Sequence, residues 1–106
     1  MALSDDCGLK PEVISRLKGV FGQFSEIDRV VLYGSRAKGT FRHGSDIDLA
    51  VMLKPGIGPG PDLHAKISES IENLDLIYTI DLSLFHEIKN PALVDHINRV
   101  GVRFYP

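Results

Sequence analysis

Between residues 34 and 48 the chain reads Gly34-Ser35-Arg36-Ala37-Lys38-Gly39-Thr40-Phe41-Arg42-His43-Gly44-Ser45-Asp46-Ile47-Asp48. Gly34 allows a backbone to come close to a ligand, and the Ser35 hydroxyl adds a donor. If a helix begins here, its first amides attract phosphate. Asp46 and Asp48 are one residue apart, so on a strand both side chains point to one face while Ile47 and Leu49 point to the other. At ~3.3 Å rise per residue their Cα atoms stand roughly 6.6 Å apart. Carboxylates at that separation converge on one or two hard cations. Mg²⁺ suits them, because it takes a few carboxylates plus phosphate oxygens rather than an all-protein cage. A third acid, Asp81, lies within Tyr78-Thr79-Ile80-Asp81-Leu82. A carboxylate inside such an apolar run is costly unless it has a partner. A metal shared with Asp46 and Asp48 would supply one.

Each feature alone is ordinary: Gly-Ser after a strand is usually a turn, and Asp-x-Asp usually a solvated strand end. The joint pattern, Gly-Ser-x10-Asp-x-Asp, arises by chance in roughly one chain of this length per thousand. Competing phosphate motifs fail. A Walker A loop needs Lys where Thr40 stands after Gly39, and G-x-G-x-x-G from Gly56 meets Pro61 at its last place. No G-x-S-x-G elbow occurs. His43, His64, His86 and His96 lack metal-ligand spacing and read as surface or core filler. The aromatic residues read as core, except Phe41, which is apolar in a polar loop and available to stack on a base or dock a partner.

The elements that must hold these residues follow from periodicity. Pro11 suits the first turn of a helix carrying Val13, Ile14, Leu17, Val20, Phe21 and Phe24 at helical spacing. A buried strand over 28–33 is halted by Gly34-Ser35. Ser35 is expected to cap a short helix through Lys38, ended by Gly39. The second strand spans 46–53, and the Pro/Gly-rich 55–61 is a surface loop. Leu63, Ile67, Ile71 and Leu74 make the next helical stripe, and 76–82 a third strand. Asn90-Pro91 opens a helix through Leu93, Val94, Ile97 and Val100, with Gly101 as its stop. A short strand, 102–105, closes the series. The alternation predicts an α/β or α+β fold, a sheet with helices packed on it. It sets no strand order.

The 106 residues, 43% hydrophobic and 25% charged, fit one globular domain spanning 1–106. Net charge is −2 without a basic stretch, which argues against DNA or long RNA as the main partner. The single cysteine, Cys7, lies in a polar lead, is expected outside the core, and excludes an internal disulfide. The first residues have neither a basic nor an apolar region of a signal peptide. No apolar run approaches the ~20 residues of a membrane helix. The chain reads as soluble and cytoplasmic.

Taken together, Gly34-Ser35, Asp46-Ile47-Asp48 and Asp81 resemble the signature of the minimal nucleotidyltransferases, small members of the DNA polymerase beta-like superfamily. The likeness runs from about residue 27 to 85 and includes the Gly-Ser-Arg-x-Lys-Gly and Ser-Asp-Ile-Asp-Leu-Ala contexts. It implies a mixed, palm-like sheet flanked by helices, with an NTP held on Gly34 and Ser35. It also implies Mg²⁺, as two ions, on Asp46 and Asp48, with Asp81 helping to bind metal and deprotonate an acceptor hydroxyl. Arg36, Lys38 and Ser45 would stand on the nucleotide side, with Arg42 of the same loop a further candidate for the triphosphate and a solvated loop the plain alternative for the three basic residues; ATP would be the donor of AMP. The extra domain with which larger relatives bind the acceptor is not expected here. Members of this length resemble the antitoxin of two-component pairs, so the acceptor is expected on, or held by, a small helical partner with a HEPN-type fold. Two other functions compete: a non-catalytic module that masks the partner by contact alone, and a metal-dependent phosphohydrolase. A homo-oligomer stays open.

Overall fold

Strand parity decides how this chain packs. In the first strand Val30 and Leu32 are fully buried, and in the second Ile47, Leu49 and Val51 are too, so one face of each is wholly apolar. The computed structural model describes residues 7–42 and 44–106; the polar lead at 1–6, on which the signal-peptide reading rests, and His43 lie outside the described residues.

The elements are α1 (Pro11–Phe21), β1 (Ile27–Tyr33), α2 (Gly34–Lys38), β2 (Ile47–Leu53), α3 (Leu63–Glu72), β3 (Ile80–Leu84), α4 (Pro91–Val100) and β4 (Val102–Tyr105), with a 3-10 turn at Phe85–Glu87 before α4. The sheet order is β3-β2-β1-β4. β1 pairs antiparallel with both β2 and β4, while β2 pairs parallel with β3. The sheet is therefore mixed, and the fold α+β.

On one face α1 and α3 bring Val13, Leu17, Val20, Phe21, Leu63, Ile67 and Ile71 onto the apolar strand residues. Phe21 and Phe104 meet edge to face there at 6.2 Å. The other face holds a smaller cluster of Tyr33, Ala50 and Ile97, joined by Val31, Met52, Phe85, Ile88 and Leu93. This cluster seats α4. Asn90 caps that helix by accepting from the Ala92 amide at 2.9 Å, and Pro91 fills its first turn, as the sequence predicts.

Three expectations need correction. The third strand begins at Ile80 rather than 76, because its neighbour among the described residues, β2, begins at Ile47, the register partner of Ile80. Among the described residues, 76–78 have no strand to pair with, and Thr79 meets β2 only by accepting the Ile47 N–H at 2.9 Å, although the in-and-out parity read from the sequence persists through Leu82 and Leu84. Ser35 does not cap α2; the helix already starts at Gly34, with Tyr33 in the capping position and no side-chain cap. Cys7 is buried in the main core with its thiol free, rather than outside it. The left-handed Gly39 ends α2 as expected.

Candidate active site

The sheet register brings the acids together. Tyr33 on β1 pairs with Asp48 on β2, and Asp48 pairs in turn with Asp81 on β3. Register partners on neighbouring strands point to the same face, about 4.8 Å apart along the hydrogen-bonding direction. Tyr33, Asp48 and Asp81 therefore form a row across three strands, on the face that carries α4. Tyr33 is buried, Asp48 half-buried and Asp81 exposed. Asp46, also exposed, immediately precedes β2.

Gly34 sits where β1 turns into α2, at φ 75°. L side chains rarely adopt that left-handed conformation. A Cβ there would also strike the Asp48 carboxylate, so glycine is required by both backbone and space. The Gly34 N–H donates to Nε2 of His96 on α4, at 3.3 Å. Ser35 follows in the first turn of α2, partly exposed.

Electrostatically the row is unbalanced. Burial pushes the Asp48 carboxyl above its ordinary range, and repulsion from Asp81 and Asp46 adds to the rise; His96 and Arg36 pull the other way. Burial also raises the Tyr33 hydroxyl, with Asp81 and Asp48 adding to it and the nearby Ser83 opposing. Among the described residues the ion pairs are Arg29–Asp28 and Arg99–Asp95, and neither reaches these acids. Also among the described residues, no three His, Cys, Asp or Glu side chains gather closely enough to cage an ion by themselves. A repulsive set of carboxylates outside those ion pairs fits a divalent cation that completes its shell with phosphate oxygens.

Arg36 is built into the scaffold. It is buried, and its Nη1 and Nη2 donate to the carbonyls of Cys7 and Ser45, each at 3.0 Å. Its guanidinium lies over the rings of Phe41 and Tyr78, 5.1 and 5.2 Å from their centroids. Ser45 closes the loop: its hydroxyl accepts the Arg42 N–H at 2.8 Å, and its own N–H donates to the Arg42 carbonyl at 2.9 Å. Two residues expected beside the nucleotide thus spend these donors and acceptors on the loop that delivers Asp46. One face of the Phe41 ring, expected to be available for stacking, meets Arg36 instead. Lys38 remains exposed at the end of α2.

Residues 15–106 match the profile of the family described as Polymerase beta, Nucleotidyltransferase. The chain belongs to this nucleotidyltransferase family. Solved structures repeat the nucleotidyltransferase fold at low identity. A toxin–antitoxin structure with AMP-PNP is 21% identical, aligned over 91% of this chain and 73% of its own, with TM-score 0.64. A toxin–antitoxin structure, MntA-HpeT, carrying two aspartate-to-glutamate changes, is 18% identical over 91% and 72%, with TM-score 0.62. A Sulfolobus solfataricus protein assigned as a nucleotidyltransferase is 21% identical over 91% and 88%, with TM-score 0.53. No curated protein matches. In this nucleotidyltransferase domain no helix among the described residues is long and apolar enough to cross a membrane.

Sequence reasoning missed His96 and Tyr33. Tyr33 reads as one more apolar residue of β1 until the register sets it beside Asp48. His96 carries a signal: it interrupts the apolar stripe of Leu93, Ile97 and Val100 on α4. A polar residue on a packed helical face needs a partner. Nothing in the sequence says that the partner is Gly34, 62 residues away.

Proposed function

We propose that the protein transfers a nucleoside monophosphate, AMP from ATP, to a hydroxyl presented by a partner protein. The observation that carries this reading is the in-register pair Asp48–Asp81, with Asp48 against the glycine of the Gly34-Ser35 turn. Asp46, Asp48 and Asp81 would hold Mg²⁺, two ions in the resemblance, which when bound neutralises phosphate charge and eases attack at phosphorus. Gly34 and Ser35 form the open edge against which the triphosphate would lie, and the exposed Lys38 is at hand for its charge. Asp81, on the edge strand, would take the proton of the acceptor hydroxyl. The acceptor oxygen then bonds to the α-phosphorus as the bond to the β-phosphate oxygen breaks, and pyrophosphate leaves. Charge neutralisation and positioning do most of this work. Arg36 and Ser45 serve it by holding the loop ahead of Asp46: the guanidinium donates to the Ser45 carbonyl, and the Ser45 hydroxyl accepts the Arg42 N–H.

The partner is proposed as a small helical HEPN-type protein whose tyrosine accepts AMP, with this chain as its antitoxin. Two structural neighbours are toxin–antitoxin structures, one with AMP-PNP, and they support that reading. The test is capture of the native partner, incubation with Mg-ATP, and intact-mass analysis. The expected result is one adenylyl group added to the partner and absent with Asp46→Asn/Asp48→Asn. Phosphate release from ATP without an adduct contradicts transfer. A double variant that still neutralises the partner would establish masking by contact alone.

A further inference from the structure

His96 lies on α4, far in sequence from the acids, yet it touches the turn beside them. Its imidazole stands edge-on to the Tyr33 ring, with centroids 6.1 Å apart, and its Nε2 accepts the Gly34 N–H at 3.3 Å. That amide is the first of α2 and has no acceptor inside the helix. Gly34 is also the residue whose left-handed backbone lies against the Asp48 carboxylate. One hydrogen bond therefore ties α4 to the junction of the nucleotide turn and the acidic row. The bond further spends the Gly34 N–H on the protein, leaving the Ser35 amide and hydroxyl as the next donors along the turn. Three features seat the helix that carries His96. Asn90 caps its start, Ile97 packs into the cluster with Tyr33 and Ala50, and Gly101 at its end leaves no room for a Cβ against Ile97 and Val31.

We propose that His96 is a positioning residue of the nucleotide site, holding the Gly34 turn against Asp48 through the acceptor lone pair of Nε2. The inference rests on the nucleotide-binding reading above and adds α4 to the site. Two substitutions separate the acceptor from the ring. His96→Phe keeps an aromatic ring beside Tyr33 and removes the acceptor. His96→Gln loses the ring but offers Oε1 at similar reach. Two quantities are measured on the whole chain: Gly34 amide hydrogen exchange in metal-free protein, and affinity for AMP-PNP with Mg²⁺ by calorimetry.

The expected result is a protected Gly34 amide in wild type and His96→Gln, and faster exchange in His96→Phe. Affinity should fall roughly three- to tenfold in His96→Phe, the worth of one hydrogen bond, and recover in His96→Gln. A role in packing alone predicts the reverse order, with Phe tolerated and Gln harmful, and that order overturns the proposal. Equal or tighter binding by His96→Phe overturns it as well. Should His96→Phe not fold, an unprotected Gly34 amide in wild type, or its equal protection in His96→Ala, overturns it independently. A wild type that binds no nucleotide removes the function reading and this inference together, whereas a binding wild type matched by His96→Phe removes only this inference.

Discussion

The two faces of the sheet obey different rules. Under α1 and α3 every inward strand residue is apolar: Val30, Leu32, Ile47, Leu49, Val51 and Leu53 join Phe21 and Phe104 in a dry layer. On the face under α4 the same strands present Tyr33, Ala50 and Val31, and with them Asp48 and Asp81. One face is packed to hold the fold. The other carries a smaller cluster and gathers like charges around Asp48 that disfavour its ionised form. Since a strand offers only two faces, placing the acids opposite the main core lets the site carry that repulsion without interrupting the packing.

The contrast is easiest to break from the dry side. Phe21→Ala should cost about 3–5 kcal/mol of stability, as loss of a fully buried aromatic side chain. Denaturant unfolding reads the loss, and the variant that remains folded should bind nucleotide unchanged. Gly34→Ala comes next. A side chain at a left-handed φ, pressed against Asp48, should cost about 1–3 kcal/mol and abolish nucleotide binding. Equal binding by Gly34→Ala would show that the turn does not shape the site. Removing the cap of α4 with Asn90→Ala should cost about 1 kcal/mol. Although smaller in stability than the Phe21 change, it should weaken nucleotide binding more, because α4 stands on the site's face.

Asp48→Asn should act in the opposite direction. In the folded chain the Asp48 carboxyl is raised above its ordinary 3.8, first by burial and then by Asp81 and Asp46. The folded state therefore holds this proton more tightly than the unfolded one. The resulting stability is fully present below that ordinary value and is lost as pH climbs through the raised one. Metal-free wild type should thus melt lower at neutral pH than Asp48→Asn, and the gap should close on acidification. Thermal melts in chelator across that window read it. A variant no more stable than wild type at neutral pH would mean that neither burial nor the neighbouring acids disfavour the Asp48 charge.

How much of this was legible in the sequence follows from the range of each interaction. The helical stripes, the Asn90-Pro91 start, the Gly39 stop and the face parity of β2 and β3 are local, and the residues state them. The strand order and the start of β3 depend on which strand lies alongside, and only the Ile47–Ile80 register decides where pairing begins. Arg36 shows the same limit. Its position in the motif loop suggested a phosphate contact, yet its guanidinium turns inward to carbonyls contributed by Cys7 and Ser45. Cys7 is buried beside it: Arg36 Nη1 donates to the Cys7 carbonyl, and Gly8 lies against the Phe41 ring. The faces of Asp48 and Asp81 were legible because alternation along each strand sets them before any topology is known, whereas Asp46 precedes β2 and alternation does not set its direction.

The most direct test is calorimetric titration of AMP-PNP with Mg²⁺ into the wild type and Asp46→Asn/Asp48→Asn. The account predicts metal-dependent binding by the wild type, with a stability gain of about 2.7 kcal/mol at a ligand concentration of 100 Kd, and loss of both in the variant. Binding of equal strength by the variant, or wild-type binding indifferent to Mg²⁺, would contradict it.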